Sequence, residues 1–462
     1  MSRSIFEQRA GCRPRLRAPR LLAAVSVLAW LLPAPGAGRL WAQQPEAARR
    51  RPNLVLILSD DQGYRDFGFM GNDVVRTPNL DRLAAASARF VNGYVPTSVC
   101  RPSLATLLTG LYPHQHQIHF NHPPHQAYPE RREADRLIRA VPALPRVLGE
   151  AGYTSLQTGK YWEGHYRNAG FDEGMSLGRP AEIEKEFGLR PAHGNGDAGL
   201  AIGRRTMQPL FEFLKRHGDR PFFLWYAPFL PHTPHNVSAA DLKLYEGRPG
   251  VPAHYARYYA SVTRFDRTVG QLMDFLEKKK LAKDTLFVFL VDNGWAPDPA
   301  RPQRQDRRSK WSPYERGLRT PILIRWDGHV RPGTYRDLAS SVDFVPTLLA
   351  AAGLEGAIKD LPGVNLLPVA QGKQQLTGRA VFGEIYPNQA RALGQPGREV
   401  QHRWVRSGRL KLIVPSGGKK KPMLFDVVAD PQERKDLSGD PEHKEKLSEL
   451  RRRLDRWWKP ER

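Results

Sequence analysis

Apolar residues along this chain are concentrated in short continuous runs, and the longer stretches between them have helical periodicity. The runs are rich in β-branched and aromatic residues, which is typical of strands buried on both faces of a sheet. They are NLVLIL (53–58), FFLWYAPF (222–229), TLFVFLV (285–291) and PILIRW (321–326). The helical patterns lie at 77–90, 253–280 and 341–352. Strands that alternate with helices predict an α/β fold with a large, doubly wound, mostly parallel sheet that has helices on both faces.

The pattern changes after Gly363. Three further strand-forming segments follow, with turns between them, and they are AVFGEI, HRWVRSGRLKLIV and MLFDVV. The segment 442–458 then has the amphipathic pattern of a final helix. We therefore predict a main domain at 53–362 and, at 363–462, a smaller C-terminal α+β subdomain with an antiparallel sheet.

The N-terminal segment has the pattern of an export signal. Residues 1–20 hold six arginines and one acidic residue, and the apolar run LLAAVSVLAWLL (21–32) follows. Small residues then lead to Ala42, which suits the last position before cleavage. We predict a signal peptide at 1–42, a linker at 43–52 and an exported protein, periplasmic or extracellular, with no integral membrane segment after cleavage. An uncleaved membrane anchor is the less favoured alternative, because the apolar run is short for a bilayer.

The charge balance of the chain is strongly basic. The formal net charge is +24, and seven arginines and one glutamate lie in residues 1–42, so the rest of the chain keeps +18. Such a surface attracts polyanions such as acidic polysaccharides, although scattered basic residues also occur on plainly solvated surfaces. The sequence has no zinc-finger spacing, RNA-binding aromatic motif or helix-turn-helix pattern, so no nucleic-acid partner is expected.

Cysteine is rare, and one of the two cysteines lies in a distinctive motif. Cys12 would leave with the signal peptide, so Cys100 then has no cysteine with which to form an internal disulfide. It lies in SVCRPSLATLLTG (98–110), where Pro102 suits the first turn of a helix and Gly110 suits its end. The motif predicts Cys100 at a helix N-terminus, where the dipole favours anions and thiolates. A small, inert core cysteine is the alternative.

Oxygen ligands follow two of the predicted strands at the point where each strand ends. Asp60 and Asp61 come directly after the first strand, and Asp292 and Asn293 come directly after the strand at 285–291. Ligands of open α/β sheets bind beyond the carboxyl ends of the strands. Three carboxylates and an amide oxygen there suit a hard divalent cation, although adjacent aspartates also occur in caps and turns.

Histidines are concentrated in one proline-rich segment. They are His114, His116, His119, His122 and His125. A surface loop beside the binding pocket is the favoured interpretation, and a transition-metal site is the alternative.

The motifs of the chain, in their order, resemble those of the type I sulfatases, a family with an alkaline-phosphatase-like fold. The segment around Cys100 resembles the signature C-x-P-S-R, in which a cysteine or serine is oxidised to formylglycine. Other segments resemble the family's paired aspartates, first helix, first lysine, histidine loop, second metal cluster, second lysine and C-terminal subdomain. They are RPNLVLILSDDQGYRDFG, TPNLDRLAAASARF, TGKYWEG, APFLPHTPH, FLVDNG, KWSPYERGLRTPILIRW, and GRLKLI with LFDVVADPQE.

The resemblance implies that 53–362 is the catalytic domain of an arylsulfatase-like sulfuric ester hydrolase, acting on a sulfated polysaccharide or an aryl or alkyl sulfate. It implies a calcium ion and a formylglycine-generating enzyme that converts Cys100. The implied metal ligands are Asp60, Asp61, Asp292, Asn293 and the modified Cys100. The implied catalytic residues are Cys100, Lys160, His232 and Lys310, with His235 as the substitute if the loop register shifts by three.

Two positions depart from the family pattern. Leu104 stands where the signature has arginine, and Trp162 stands where the family has a histidine two residues after Lys160. Both family residues steady the formylglycine hydrate, and Arg101 and His165 are candidates to compensate for them. The departures keep open a non-catalytic binder of sulfated glycans. A phosphate or phosphonate monoester hydrolase is a second alternative, since a tetrahedral anion of similar charge fits the same groups.

Overall fold

The computed structural model describes residues 51–124, 130–177, 198–418 and 420–461. The predicted signal peptide, most of the predicted linker and His125 lie outside the described residues. The strands, in chain order, are β1 Asn53–Ser59, β2 Ala88–Tyr94, β3 Thr154–Gly159, β4 Glu173–Gly174, β5 Phe222–Ala227, β6 Thr285–Val291, β7 Pro297–Asp298, β8 Arg301–Gln305, β9 Arg319–Arg325, β10 Gly333–Ser340, β11 Ala380–Ile385, β12 His402–Ser407, β13 Leu410–Pro415 and β14 Met423–Asp426.

Eight of these strands form the main sheet, in the order β10–β2–β9–β6–β1–β5–β3–β4. Neighbouring strands run parallel except at β9, which is antiparallel to both β2 and β6. The order places β1, the first strand in the chain, between β5 and β6. The loops that follow β1, β5 and β6 therefore leave the sheet side by side. The predicted mostly parallel sheet is confirmed.

Helices lie between the strands along the chain, and the last helix follows β14. Their bounds are Pro78–Ala85, Cys100–Thr109, Pro113–His116, Glu130–Arg136, Leu144–Glu150, Gln208–His217, Ala239–Leu242, Ala256–Lys278, Glu315–Leu318, Phe344–Ala351, Leu367–Ala370, Pro396–Glu399 and Lys444–Trp457. None of the helices within the described ranges is both long enough and apolar enough to cross a membrane.

The helices pack on both faces of the main sheet. Successive side chains of a strand point to opposite faces, so the residues of β1 divide between two apolar clusters. Leu56 belongs to the first cluster and Ile57 to the second. The first cluster contains side chains from the helices Cys100–Thr109, Leu144–Glu150 and Phe344–Ala351. The second contains side chains from the helices Pro78–Ala85, Gln208–His217 and Ala256–Lys278. The doubly wound arrangement is confirmed.

The C-terminal part of the chain forms a second sheet, which is antiparallel in the order β11–β12–β13–β14. Leu450 of the last helix shares an apolar cluster with Val405 and Leu412 on one face of this sheet. The neighbouring Trp404 points to the other face, where its Nε1–H donates to the Pro96 carbonyl oxygen at 3.1 Å. The predicted C-terminal antiparallel sheet with its final helix is confirmed.

The observed elements differ from those that the sequence pattern predicts at two places. The helix predicted over 77–90 ends at Ala85, and the ARF that closes this segment begins β2. The Ser87 hydroxyl donates to the Leu83 carbonyl oxygen at 2.7 Å where the helix stops. The strand predicted at 321–326 exists as β9, but it runs antiparallel to its neighbours. A fully buried strand is a continuous apolar run in either direction, so the pattern does not encode this reversal.

Candidate active site

The loops after β1 and β6 bring the predicted oxygen ligands together. Both strands are parallel neighbours along their full length, so Asp60 and Asp61 emerge beside Asp292 and Asn293. Asp61 has a left-handed backbone (φ 60°), and its N–H donates to Asp292 Oδ1 at 3.0 Å. Asn293 Nδ2 donates to Asp61 Oδ1 at 2.6 Å. All four side chains are buried.

Cys100 is the first residue of its helix, as the sequence predicts. Gly110 ends that helix in the left-handed conformation, with φ 71°. The buried Cys100 Sγ lies 4.0 Å from Asp61 Oδ1. The helix is anchored over the loop after β6 by Ser103, whose hydroxyl donates to the Asp292 carbonyl oxygen at 2.5 Å. The positive end of the helix dipole therefore lies at the aspartate cluster.

Both predicted lysines reach the same cluster. Lys160 follows β3 directly, and its Nζ forms ion pairs with Asp60 and with Asp292 Oδ2, the latter at 2.9 Å. Lys310 Nζ donates to Asp61 Oδ2 at 2.8 Å. Because each ammonium group contacts a carboxylate beyond a strand end, the lysine segments are held against the sheet edge.

The loop after β5 places His232, and not His235, at the cluster. His232 Nε2 lies 3.2 Å from Asp61 Oδ2, and its Nδ1 lies 2.5 Å from the Thr233 carbonyl oxygen. Burial lowers the pKa of His232 well below its usual value, so the ring is neutral at neutral pH. His235 instead packs edge-on against the ring of Trp295.

The charges within the cluster are only partly balanced. Burial raises the pKa of Asp60 well above its usual range, although Lys160 opposes this shift. Burial alone would also raise the pKa of Asp61, but Lys310 and His232 lower it below its usual range. When fully ionised, the three aspartates and two lysines leave one net negative charge. The site therefore has room for further positive charge.

Unsatisfied oxygens show that a cation fits the cluster. Asp60 Oδ2 and Asn293 Oδ1 are buried and have no hydrogen-bond partner among the described residues. Asp60, Asp61, Cys100 and Asp292 each offer one ligand atom, and these atoms lie within 4.8 Å of one another. Buried oxygens without partners are costly, and a hard divalent cation satisfies them directly.

The cluster opens into a cavity of about 330 Å³. Its wall includes Asp61, Cys100, His232 and Lys310. Three tryptophans, Trp162, Trp295 and Trp311, and the strand segment 303–305 line the rest of it, together with several polar residues. A concave site with an aromatic wall and a charged floor suits a ligand that has an anionic group on a larger body.

The two residues that depart from the family pattern are both buried. Leu104 and Trp162 belong to the same apolar cluster as Cys100. Trp162 also lines the cavity, and its indole N–H has no hydrogen-bond partner in the described part of the chain. An indole can donate a hydrogen bond to a ligand but cannot take up a proton, so it does not replace a histidine in acid–base chemistry.

A buried ion pair lies next to this apolar cluster. The sequence analysis identified Arg101 as a candidate residue but not its partner, Glu163. Arg101 Nε and Nη2 donate to the two carboxylate oxygens of Glu163 at 2.9 and 2.8 Å. Nη2 also donates to the Ala134 carbonyl oxygen at 2.8 Å, and the guanidinium lies 5.1 Å from the Phe120 ring centre. The pair joins the first turn of the Cys100 helix to the segment after β3. The signal available in the sequence was an acidic residue directly after a buried aromatic pair.

The structure brings neither of the two compensating candidates into the cavity lining. Arg101 is engaged by Glu163, and His165 accepts a hydrogen bond from the Arg167 N–H at 3.2 Å. The His165 ring packs against Tyr166. The hypothesis that either side chain steadies the reacting group therefore has no geometric support in the described residues.

Breaking the Arg101–Glu163 pair is expected to destabilise the fold by about 3–5 kcal/mol. Arg101→Met removes the cation from the buried Glu163 carboxylate, and Glu163→Gln leaves Arg101, among the described residues, with only its longer, 3.6 Å ion pair to Asp135. Glu163→Gln and Arg101→Met each test this in urea unfolding experiments. The double variant Arg101→Met/Glu163→Leu removes both charges and is expected to recover most of the loss. Single-variant losses below about 1 kcal/mol, as for an exposed pair, would contradict a buried structural role.

The histidine-rich segment is not the exposed loop that the sequence favoured. His116 and His119 are buried, and His114 Nδ1 lies 2.9 Å from Glu384 Oε2 of β11. Only His122 of this group lines the cavity among the residues described. His116 Nε2 lies 3.3 Å from the Thr106 hydroxyl, and His119 Nδ1 lies 3.1 Å from the Gln117 carbonyl oxygen, so these rings are held within the fold. Within the described ranges they do not form a group with metal-ligand spacing.

Comparison with known families agrees with the geometry of the site. The family model described as "Sulfatase" matches residues 52–354. A second model, described as "N-sulphoglucosamine sulphohydrolase, C-terminal", matches residues 306–459. Together they extend from β1 to the last helix.

Individual relatives cover nearly the same length. The chain is 30% identical to arylsulfatase A of Homo sapiens over 453 residues, which cover 85% of this chain and 84% of that protein. It is 29% identical to the N-acetylgalactosamine-6-sulfatase of Homo sapiens over 471 residues, covering 90% and 86%.

Solved structures show the same fold. The crystal structure of Ps i-CgsB in complex with k-i-k-neocarrahexaose superposes with a TM-score of 0.71 at 25% identity, covering 89% of this chain and 94% of that one. A structure in complex with its substrate D-glucosamine-2-N,6-O-disulfate gives a TM-score of 0.70 at 21% identity, covering 88% and 97%. With the family models and the relatives, these likenesses lead to one conclusion: the chain belongs to the type I sulfatases and is a sulfuric ester hydrolase.

Proposed function

We propose that this sulfatase removes sulfate from a sulfated carbohydrate outside the cytoplasm, using a formylglycine made from Cys100 and a bound calcium ion. The position of Cys100 carries the proposal. Its Sγ lines the cavity and lies 4.0 Å from Asp61 Oδ1, at the edge of a cluster that fits a cation. The predicted signal peptide is consistent with a substrate that is too large to enter the cell.

The charge of the site favours an anionic ester once a cation is bound. When all five groups are ionised, the three aspartates and two lysines leave one net negative charge, and a divalent ion would change this to one net positive charge. A singly charged sulfate ester is then attracted, with the ion supplying positive charge to the sulfate oxygens. Asp60, Asp61, Asp292 and Asn293 would hold the ion, and their oxygen donors suit calcium.

The unmodified thiol is a poor nucleophile at this position. Burial raises the pKa of Cys100 to about 12, although Lys160 and Lys310 oppose the shift. Because the thiolate is the nucleophilic form, the unmodified residue would be almost inactive at neutral pH. Formylglycine made from Cys100 would supply the two hydroxyl groups of a hydrated aldehyde in place of the thiol, one to displace the alcohol from sulfur and one to expel the sulfate and restore the aldehyde.

The basic groups of the chain complete the reaction that we propose. Lys310 lies in the cavity wall, where it can hold a sulfate oxygen. Lys160 pairs with Asp60 and Asp292 and adds positive charge beside the same cluster. Both spread the negative charge that develops in the transition state. Lys310 protonates the departing alcohol oxygen, since its ammonium group faces the cavity, whereas the neutral His232 ring, whose Nδ1 contacts the Thr233 carbonyl oxygen, has no proton to give.

Sulfated carbohydrate is the substrate class that the surroundings support. The chain outside residues 1–42 has a net charge of +18, and three tryptophans line the cavity. Ps i-CgsB, which this chain resembles, has been solved in complex with k-i-k-neocarrahexaose. A polyanionic chain of sugar rings matches both the charge and the aromatic wall.

An assay of an aryl sulfate beside the matching aryl phosphate, both with added calcium, tests the reaction class. We expect kcat/KM for the sulfate to be higher by about tenfold or more. The single net positive charge of the cation-loaded site matches a singly charged sulfate ester better than a doubly charged phosphate ester. A faster phosphate reaction would favour a phosphate or phosphonate monoester hydrolase. Binding of sulfated oligosaccharides without turnover of any ester would favour the non-catalytic binder that Leu104 and Trp162 keep as an alternative.

A further inference from the structure

The rim of the cavity carries an exposed aromatic side chain. Trp311 is 43% exposed, and it is the only aromatic among the large apolar residues that are exposed within the described ranges. The other three, Leu177, Val364 and Val428, do not line the cavity. A tryptophan that stays in water beside a binding site leaves a flat apolar face free for a ligand.

The backbone holds Trp311 in this outward position. Its φ is +67°, in the left-handed region that a bulky residue rarely adopts. Its N–H donates to the Ser98 carbonyl oxygen at 3.0 Å, and the Ser98 hydroxyl donates to the Ser312 carbonyl oxygen at 2.8 Å. Lys310, on its other side, is held by Asp61. The segment is therefore fixed on both sides of the exposed indole, which is the arrangement of a preorganised contact surface.

A cation that has no partner among the described residues lines the same cavity. Arg304 lies on β8, which pairs with β7 as a short exposed hairpin, and it lines the cavity with Gln303 and Gln305. No hydrogen bond or ion pair joins the Arg304 guanidinium to another of the described residues. The neighbouring Arg301, by contrast, pairs with Asp298 at 3.6 Å and does not line the cavity.

We propose that Trp311 and Arg304 form a second binding subsite, which takes a further sugar ring with an anionic group of its own. The ligand class is an acidic oligosaccharide that carries a sulfate or carboxylate beyond the ester to be cleaved. The proposal rests on the proposed function for the place of the first sulfate, at Cys100. The indole face packs against the C–H face of the ring, and the guanidinium binds the second anion through paired hydrogen bonds.

This subsite would give the enzyme a preference for densely charged substrates. A small sulfate ester reaches only the floor of the cavity, whereas a longer acidic chain also contacts the rim. Arginine is suited to this task because its planar group matches carboxylate and sulfate oxygens, and an unpaired guanidinium has no internal salt bridge to break.

Binding measurements on the full-length Cys100→Ala protein test the subsite without turnover. The ligands are carrageenan and chondroitin oligosaccharides of equal length, each in a more and a less sulfated form, titrated by calorimetry with calcium at fixed ionic strength. The variants, added to Cys100→Ala, are Trp311→Ala, Trp311→Phe, Arg304→Gln and, as the matched charge control, Arg301→Gln.

We expect Trp311→Ala to raise Kd for the preferred oligosaccharide about tenfold, and Trp311→Phe to raise it less. Arg304→Gln should raise Kd about tenfold for the more sulfated form and much less for the other form. Arg301→Gln should leave both values unchanged. Equal losses for Arg301→Gln and Arg304→Gln would show a diffuse charge effect and overturn the subsite, as would no binding of any oligosaccharide.

The outcome separates this proposal from the proposed function. If the native protein cleaves sulfate esters but the Trp311 and Arg304 variants bind as tightly as their parent, the subsite is wrong and the function stands. If these variants lose affinity as expected but the native protein cleaves no sulfate ester, the subsite stands and the function is wrong.

Discussion

Replacing Cys100 by alanine is expected to lower kcat/KM for a sulfate ester by about 10⁴-fold or more, because the change removes the only side chain from which the proposed nucleophile can form. Cys100 contributes little to the fold beyond its contacts in the apolar cluster, so the loss of stability should be only about 1 kcal/mol. Steady-state kinetics and thermal unfolding of the native and Cys100→Ala proteins measure the two effects separately. Retention of more than about a tenth of the activity in a folded variant would refute the role of this residue.

The chemical state of Cys100 in the native protein provides the decisive control. The protein is produced together with a formylglycine-generating enzyme, and the peptide that carries residue 100 is treated with iodoacetamide and with hydroxylamine. A thiol is alkylated by the first reagent, whereas an aldehyde forms an oxime with the second. We expect the oxime, because the buried thiol has a pKa of about 12 and is a poor nucleophile itself. A fully alkylated peptide from active protein would contradict the formylglycine mechanism.

Leu104 departs from the family signature four residues after Cys100. In the family signature the residue at this place is an arginine, whereas here it is an apolar residue in the same cluster as Cys100 and Trp162. The nearby Arg101 is engaged by Glu163, so the first turn of the helix contains an arginine that faces away from the cavity lining. Formation of the oxime would show that conversion does not require the family arginine.

The architecture could be predicted from the chain because buried parallel strands have a simple pattern. β1, β5 and β6 are continuous apolar runs, and β1 and β6 are followed at once by polar residues, so all three strands and the ends of two of them are visible in the sequence. The clustering of Asp60, Asp61, Asp292 and Asn293 then follows from the general position of ligands beyond strand ends. β2 and β10 have mixed burial and few continuous apolar residues, and this is why neither is apparent from the sequence.

Contacts between distant loops could not be predicted in the same way. Lys160 and Lys310 were placed by the family resemblance, since the apolar pattern does not encode the strand order that brings β3 near β1. Arg101 and Glu163 are 62 residues apart, and nothing local indicates that they pair. The exposure of Trp311 depends on a left-handed backbone and on hydrogen bonds to Ser98, which only the folded chain reveals.

Removal of one aspartate should abolish the response to calcium. In the native protein stripped of metal by a chelator, added calcium is expected to raise the unfolding free energy, by about 2.7 kcal/mol when calcium is at 100 times its Kd. In Asp61→Asn this increase should disappear, and kcat/KM should fall by about 10³-fold or more. Asparagine tolerates the left-handed backbone at this position well, so the substitution tests the charge of the side chain without added backbone strain.

The physical reason lies in the number of groups that depend on the Asp61 carboxylate. Lys310, His232 and Asn293 all contact its oxygens, at 2.8, 3.2 and 2.6 Å. An amide presents its NH₂ group to one of these partners, and it gives up the charge that both the lysine and a cation require. Metal affinity and the position of Lys310 should therefore be lost together.

Asp66→Asn is the matched control, since it removes a carboxylate from the same loop but outside the cation cluster. Burial raises the pKa of Asp66 to about 7, so the native side chain is already partly protonated at neutral pH, and an amide is a close substitute. The Tyr258 hydroxyl, which donates to Asp66 Oδ2 at 2.8 Å, can donate to the amide oxygen instead. Asp66→Asn should therefore keep the stabilisation by calcium. If calcium stabilises Asp61→Asn as much as it stabilises Asp66→Asn, the cation does not bind at the aspartate cluster, and the charge argument for a sulfate ester loses its basis.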